Sequence, residues 1–472
     1  MDEWHDILPF LLHKQMVWAS QCSLFLNWIS ERYMQQAQWK KKGLTHCAEN
    51  GNVEGVRYLV ERCGADVHAD NEDALRRASA EGYLEVVKYF VLECGADVRA
   101  YDDDALRCAS EKGHLEVVKH LVDEGGADVH AQNEWALRRA SAEGHLEVVK
   151  YLVDEAGADV HAEHNYALRR ASEKGHLEVV KHLVDEGGAD VHALDDYALR
   201  RASWSGRLEV VQYLVEKGGA DVHAGNDCAL GEASAEGHLE VVKYLVLEGA
   251  DVHAHNDYAL RWASAEGHLE VVKYLVLECG ADVHALNDDA LRLASENGHL
   301  EVVKHLVYEG GADVHAWDDS ALRHASWYGQ LEIVRYLVEE CGADVHAGNQ
   351  SALRLASSYG HVEVVKYLVE EGGANVHAEA DSALRRAGEF GHLEVVQYLV
   401  EKGADVHEKT YFGGDALRLA SSNGHLEVVR FLVENGANVY TLDQRTLQCA
   451  SCNGYLNVVE YLKSKGAFQG MQ

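Results

Sequence analysis

The sequence contains no apolar run long enough to cross a membrane. A helical span needs roughly 18 to 20 consecutive apolar residues, and charged or polar residues interrupt the apolar stretches at the start of the chain. These residues are Asp2, Glu3, Asp6, His13, Lys14 and Asn27. We therefore expect neither a secretory signal nor a transmembrane segment.

Positive charge is also scarce. The 472 residues include 43 Lys and Arg against 78 Asp and Glu, which gives a formal net charge of −35 at pH 7. A strongly negative chain is repelled by nucleic acid and by anionic membrane surfaces. The composition therefore predicts no nucleic-acid binding and no membrane binding, and it favours a basic protein partner.

The residue patterns of enzymes and metal sites are missing. There is no glycine-rich phosphate loop, no nucleophile with a placed base and no metal-ligand spacing. Cys449 and Cys452 form a lone CxxC, which is too little for a zinc site without a second pair. We predict no enzyme activity, no cofactor and no bound metal.

The ten cysteines do not suggest a disulfide framework. Four of them occupy the same position in different copies of a repeat, so they do not face each other as pairs. These four are Cys63, Cys94, Cys279 and Cys341. Reduced thiols are typical of cytosolic proteins, and the predicted location is therefore the cytoplasm.

One pattern fills most of the chain. In residues 137–162 it contains two helical patterns separated by Gly144, and Leu146, Val149 and Leu152 lie on one face of the second helix. The Leu near the start of each first helix marks fourteen units, spaced 31 residues apart almost throughout. It stands at positions 44, 75, 106, 137, 168, 199, 230, 260, 291, 322, 353, 384, 417 and 447.

Neither helix of a unit could be stable alone, because each is only about two to three turns long. Stacked copies would cover one another's apolar faces. The predicted fold class is therefore all-α, a solenoid of about fourteen helix pairs.

The repeat resembles the ankyrin repeat. The motif Gly-His-Leu-Glu-Val-Val-Lys-Tyr-Leu-Val, followed by Gly-Ala-Asp-Val-His-Ala, carries the resemblance over about residues 41–467. The resemblance implies antiparallel helix pairs, outward hairpin loops and a concave face that family members use to hold other proteins, without catalytic residues. This version of the repeat, with Ala-Leu-Arg and Val-His-Ala, also resembles the ankyrin families of giant DNA viruses that infect amoebae.

The start of the first helix departs from the family pattern. The family's Thr-Pro-Leu-His is replaced by sequences such as that of residues 166–169, and an acid such as Asp319 usually stands three residues before the Leu. We predict that this acid caps the helix or opposes its dipole, and that it pairs with the Arg four residues on, here Arg323. The loops are predicted to be short turns, except for a family-length loop at residues 408–416.

The two ends of the chain differ from the repeats. Residues 1–40 contain four Trp and are predicted to form a helical cap on the first repeat. Alternatively they form a docking segment, because Leu8 and Pro9 followed by apolar residues resemble an F-box, which docks a ubiquitin-ligase subunit. At the other end Lys463 replaces an apolar residue, as a terminal cap requires, and residues 468–472 form a tail.

Histidine recurs at two positions of the repeat. Eleven His follow the Val of Val-His, as His161 does, and nine follow the inter-helix Gly, as His145 does. Copies about 10 Å apart cannot share a zinc ion, whose bonds to nitrogen are about 2.0 Å long. We therefore predict hydrogen bonds to the turn backbone. Residues 159–161 are also similar to sites that are hydroxylated in other ankyrin proteins.

Large aromatic residues interrupt the repeat in a few copies. The two residues before the inter-helix Gly are usually small or charged, and family geometry places them on the concave face. Exposed aromatic side chains there are typical of interface anchors. The predicted protein-binding residues are Trp204, Trp262, Trp317, Trp327, Tyr328, Tyr359 and Phe390.

The sequence thus favours a non-enzymatic scaffold that binds a protein partner on the concave face of the solenoid, in host cytoplasm if the chain is viral. One alternative is a substrate adaptor of a ubiquitin-ligase complex that docks through residues 1–40. The other is a structural protein whose repeats associate with each other. The sequence leaves the oligomeric state open.

Overall fold

The structure of the protein, a computed structural model, describes residues 37–408, 414–442 and 444–467. Residues 37–40 belong to the first helix. The rest of the predicted cap or docking segment, most of the longer loop and the C-terminal tail lie outside the described residues.

Across these ranges the chain forms twenty-eight helices, which make fourteen helix pairs. The helices are α1 (Ala37–Glu49), α2 (Val53–Arg57), α3 (Ala69–Ala80), α4 (Leu84–Lys88), α5 (Ala100–Lys112), α6 (Leu115–Asp123), α7 (Ala131–Glu143), α8 (Leu146–Lys150), α9 (Ala162–Lys174), α10 (Leu177–Asp185), α11 (Ala193–Trp204), α12 (Leu208–Glu216), α13 (Ala224–Ala235), α14 (Leu239–Leu247), α15 (Ala254–Ala265), α16 (Leu269–Lys273), α17 (Ala285–Asn297), α18 (Leu300–Tyr308), α19 (Ala316–Trp327), α20 (Leu331–Glu339), α21 (Ala347–Tyr359), α22 (Val362–Glu370), α23 (Ala378–Phe390), α24 (Leu393–Glu401), α25 (Ala416–Ser422), α26 (Leu426–Glu434), α27 (Gln444–Cys452) and α28 (Leu456–Ser464).

Four second helices continue through a π-helical turn, and one short 3₁₀ helix precedes the last pair. The π-helical turns are Tyr58–Arg62 after α2, Tyr89–Glu93 after α4, Tyr151–Glu155 after α8 and Tyr274–Glu278 after α16. The 3₁₀ helix is Val439–Thr441.

The described part of the chain divides into two compact units, with the division between residues 229 and 230. Within each unit, the first helix of a repeat packs against the first helix of the next repeat, and the second helices pack in the same way. In the pair α19 and α20, Leu322, Ile333, Val334 and Leu337 are at most 1% exposed. The predicted all-α solenoid of helix pairs is confirmed.

The short loops are left-handed turns. In eleven repeats three consecutive residues have φ between +47° and +64°, as Trp317, Asp318 and Asp319 do. This region costs an L-residue about 1 to 2 kcal/mol, and Gly225 and Gly348 are the only glycines among these residues. The predicted short turns are confirmed, and their conformation requires other contacts that stabilise it.

The Arg after the helix-start Leu supplies one such contact. Arg323 donates from Nε to the carbonyl oxygen of Asp318 at 2.9 Å and from Nη2 to that of Trp317 at 2.7 Å. Equivalent bonds to turn carbonyls are made by Arg138, Arg169, Arg261 and Arg385. The guanidinium therefore holds the left-handed turn of its own repeat.

The acid of the turn has a different partner from the predicted one. Asp319 is buried, and its Oδ1 accepts from the backbone N–H of Asp344 in the next repeat at 2.8 Å. The same oxygen lies 3.1 Å from Nδ1 of His315. The predicted pairing with Arg323 was wrong, because the left-handed turn directs the acid inward and the Arg toward the turn carbonyls. The Val-His histidine likewise contacts a carboxylate, where backbone was predicted.

The histidine after the inter-helix Gly does bind backbone. Nε2 of His361 donates to the carbonyl oxygen of Trp327 in the preceding repeat at 2.7 Å. Its ring fills the space beside Gly329, where a Cβ atom would lie 2.5 Å from Nδ1. Gly329 also has φ +77°, so both the backbone and the next repeat require glycine here.

All nine cysteines in the described ranges are free thiols, in agreement with the prediction. The same ranges contain no group of three or more His, Cys, Asp or Glu that could hold a metal ion. Nor do they contain a helix that is both long and apolar enough to span a membrane.

Candidate functional site: an aromatic row

Four aromatic residues lie together in the second unit. We call Trp327, Tyr328, Tyr359 and Phe390 the aromatic row. The ring centroid of Trp327 lies 5.4 Å from that of Tyr328 and 5.5 Å from that of Tyr359. Tyr359 and Phe390 follow at 6.5 Å, with their planes 18° apart. Four of the seven predicted binding residues are thus brought into contact across three successive repeats.

The row lies at the ends of three first helices. Helix α19 ends at Trp327, which Tyr328 follows directly, α21 ends at Tyr359 and α23 ends at Phe390. Tyr328, Tyr359 and Phe390 are 46%, 52% and 50% exposed, and Trp327 is half-buried. The rings therefore add little to the core. They present a continuous apolar surface at a position where other copies carry charged residues such as Glu143.

A histidine packs against the first residue of the row. His324, one turn before Trp327 on α19, has its ring centroid 5.8 Å from that of Trp327. Its Nδ1 donates to the carbonyl oxygen of Ser320 at 2.8 Å. Burial lowers the pKa of His324, which favours the neutral ring beneath the indole. On the other side, His361 fixes the backbone of Trp327.

Ion pairs flank the row at both ends. A hydrogen bond to Glu296 is the main cause that raises the pKa of Tyr328, and Glu296 pairs with Arg292 at 2.7 Å. Beyond Phe390, Arg386 pairs with Glu389 at 2.9 Å. A partner on the row would therefore meet apolar rings between two charged pairs.

The other three predicted residues lie outside the row. Trp204 belongs to the first unit, where the guanidinium of Arg201 lies 4.2 Å from its ring centroid. Trp262 packs on Tyr258 of its own helix at 5.8 Å. Trp317 is 65% exposed and occupies the left-handed turn at the start of α19, opposite the end that carries the row.

Sequence reasoning missed His324 and Glu296 as neighbours of the row. A signal was present for His324, because equivalent positions in adjacent copies hold Leu293 and Leu355. Glu296 carried no such signal, since Glu173 and Glu389 occupy the same position in other copies.

The family described as Ankyrin repeats (3 copies) matches nearly the whole chain, beginning at residue 12. The matched ranges are residues 12–102, 99–164, 137–226, 168–256, 199–287, 260–349, 322–410 and 387–472. The protein therefore belongs to the ankyrin repeat family, whose repeats are non-enzymatic modules for binding other proteins.

Among solved structures, the chain is similar to the ankyrin repeat domain of human ASB11, with 28% sequence identity and a TM-score of 0.40. That similarity covers 44% of this chain and 98% of the human domain. No curated protein matches the sequence.

Proposed function

We propose that the protein is a non-enzymatic scaffold that binds a protein partner through the aromatic row. One observation supports this above all others. Three successive repeats expose aromatic rings that contact one another, at a position where the other copies carry small, polar or charged residues. The fold does not need these rings, whereas aromatic clusters of this kind serve as anchors in protein interfaces.

The proposed partner is basic where it contacts the row. The chain has a net charge of −35, so a basic partner is attracted over distance. At the surface, Arg or Lys side chains could lie over the exposed faces of Tyr359 and Phe390, a contact worth about 0.5 to 1 kcal/mol at exposed sites.

Cross-linking mass spectrometry in the native cell tests the proposal. The variant Trp327→Ala/Tyr328→Ala should recover less of the partner than the wild type does, because two anchors are lost. Equal recovery from both would remove the row as the binding site.

Matched variants separate binding from folding. Tyr328→Asn, Tyr359→Asn and Phe390→Asn use the residue that Asn297 and Asn423 place at the same position, so they should preserve the helices and still lose the partner. Trp317→Ala removes an exposed Trp outside the row and should leave recovery unchanged.

Two other roles remain predictions. An adaptor that docks a ubiquitin-ligase complex through residues 1–40 should lose ligase subunits, but not the target, when that segment is deleted. A self-associating structural protein should scatter more light per molecule as its concentration rises. A viral origin and action in host cytoplasm rest on the likeness of the repeat sequence alone.

A further inference from the structure

A second apolar surface lies on the second helices. We call Leu247, Leu277 and Tyr308 the apolar ridge. They occupy the same position in three successive repeats, at the end of α14, in the π-helical turn after α16 and at the end of α18. Their exposures are 81%, 58% and 71%. The ridge is at the far end of these helices from the inter-helix Gly, so it is distinct from the aromatic row.

Most other repeats carry an acid at this position, and the acid has a structural role. The hydroxyl of Tyr151 donates to Asp123 of the preceding repeat at 2.7 Å. Nε2 of His182 lies 3.1 Å from Asp154 in the same way. Further along the first unit, the hydroxyl of Tyr213 donates to Asp185 at 2.7 Å. An acid at this position therefore joins neighbouring repeats.

The apolar ridge gives up these bonds. In the repeat after that of Leu277, His305 stands at the position of His182. Among the described residues, its buried Nε2 has no hydrogen-bond partner. In the repeat after that of Leu247, Tyr274 stands at the position of Tyr151. Its hydroxyl pairs with the thiol of Cys279 in its own repeat. Leucine at this position thus exposes apolar area and also removes an inter-repeat bond. Folding alone favours the acid, so the ridge requires another explanation.

We propose that the apolar ridge docks a basic amphipathic helix of another protein. An exposed glutamate follows each ridge residue directly, at Glu248, Glu278 and Glu309. The surface therefore combines a line of apolar side chains with a parallel line of carboxylates. A helix with apolar residues on one face and Lys or Arg beside them complements both lines. A second copy of this chain, with its charge of −35, would be repelled.

Spacing also fits a helix. Neighbouring helices of a stack lie about 8 to 10 Å apart, and two helical turns rise about 10.8 Å. Apolar residues at positions i, i+7 and i+14 of a partner helix would therefore meet Leu247, Leu277 and Tyr308 in turn. This site does not depend on the aromatic row, and either surface could fail its test alone.

The test uses the full chain and a synthetic helical peptide with Leu at i, i+7 and i+14 flanked by Lys and Arg. A peptide of the same composition in scrambled order is the control. The variant Leu247→Glu/Leu277→Glu/Tyr308→Glu installs the acid that other repeats carry, so its fold should be kept, as circular dichroism would show. We expect the wild type to bind the ordered peptide at least about tenfold more tightly than the variant does, because three apolar contacts are lost.

Charge alone would give the opposite result. The triple variant is more negative, so non-specific attraction of a basic peptide should strengthen in it. Equal or tighter binding by the variant, or equal binding of ordered and scrambled peptides, would overturn the proposal. A wild-type dimer in sedimentation that the variant abolishes would assign the ridge to a second copy instead, and would also overturn it.

Discussion

At the scale of single residues, the third residue of the left-handed turn joins neighbouring repeats. Asp288 is buried, accepts from the backbone N–H of Asp313 at 2.8 Å and lies 3.0 Å from Nδ1 of His284. Asn165 makes the equivalent bond to the backbone of Asp190 at 2.9 Å. The position therefore needs a side-chain oxygen that accepts, and it does not need a charge.

Replacing Asp288 tests this requirement. Asp288→Ala removes the side-chain acceptor of the Asp313 N–H and should lower stability by about 1 to 3 kcal/mol. Asp288→Asn retains an acceptor and should cost less. Urea unfolding followed by circular dichroism measures both variants, and equal losses in the two would show that the carboxylate charge is essential.

The pH dependence follows from burial. Burial is the largest cause that raises the pKa of Asp288 above its usual value, so the folded chain holds this proton more tightly than the unfolded chain does. The resulting contribution to stability is present below the unfolded pKa and is lost as pH rises through the folded pKa. Relative to Asp288→Asn, the wild type should therefore lose stability as the pH rises from about 4.

His305 should show the opposite dependence. Burial lowers its pKa. The contribution of His305 to stability is therefore present above the unfolded pKa of about 6.5 and is lost as pH falls. Leu277→Asp would place a carboxylate beside Nε2, as Asp154 does for His182. The pKa of His305 should then rise, which an NMR titration of its ring protons measures. An unchanged pKa would mean that the new acid does not reach the ring.

How far the sequence could predict these residues depends on their chemistry. The buried Leu, Val and Ala were predictable, because helical spacing reports which face is covered, and Leu322 and Val334 are at most 1% exposed. The role of Asp319 was not predictable in this way. An acid three residues before a helical Leu is typical of a cap, and only the left-handed turn directs it toward the next repeat.

At the scale of elements, the left-handed turn is the feature that sequence propensities hide. The left-handed backbone conformation is unfavourable for each of three consecutive non-glycine residues taken separately. The turn forms because Arg donors and the buried acceptor stabilise all three together. The shortened loop was predictable from its residue count, and its handedness was not.

Glycine in the turn should relieve its backbone strain. Leu286 has φ +53° and is 50% exposed, and the equivalent residues in two other repeats are Gly225 and Gly348. Leu286→Gly should raise stability by roughly 0.5 to 1 kcal/mol, because the strain removed exceeds the extra chain entropy.

The control for this prediction is Leu286→Ala. It removes the same side chain while keeping the Cβ atom that causes the strain, so it should not stabilise the protein. Thermal unfolding compares the two variants. A gain from alanine as large as that from glycine would show that the exposed side chain of Leu286, and not the backbone, was unfavourable.

The residues of the aromatic row differ visibly from the residues at the same position in other repeats of this chain. An exposed ring stands out when the other copies hold charge, as Tyr359 does against Glu143 and Lys174. Contacts between repeats could not be read in the same way. Trp327 meets Tyr359 across 32 positions of the sequence, and only the stacking of α19 on α21 brings their rings within 5.5 Å.

At the scale of the whole molecule, charge sets the conditions for folding and for binding. Many Lys side chains pair with Glu on the same helix, as Lys150 and Glu147 do at 2.9 Å. Exposed pairs of this kind contribute little, and they leave the excess of acids uncompensated. The net charge of −35 should therefore destabilise the folded chain through self-repulsion at low ionic strength.

Salt should consequently stabilise the protein. Raising NaCl from about 0.01 M to about 0.1 M shortens the screening length from about 30 Å to about 10 Å, so the melting temperature should rise. Glu248→Gln/Glu278→Gln/Glu309→Gln reduces the net charge from −35 to −32 and should show a smaller rise. A melting temperature that falls with salt would mean that the helix ion pairs outweigh the repulsion.

The variant Glu248→Gln/Glu278→Gln/Glu309→Gln should also bind the basic peptide more weakly than the wild type does at low salt. The difference in affinity between the two should shrink as salt is added, because the three carboxylates act on the peptide through the same screened field.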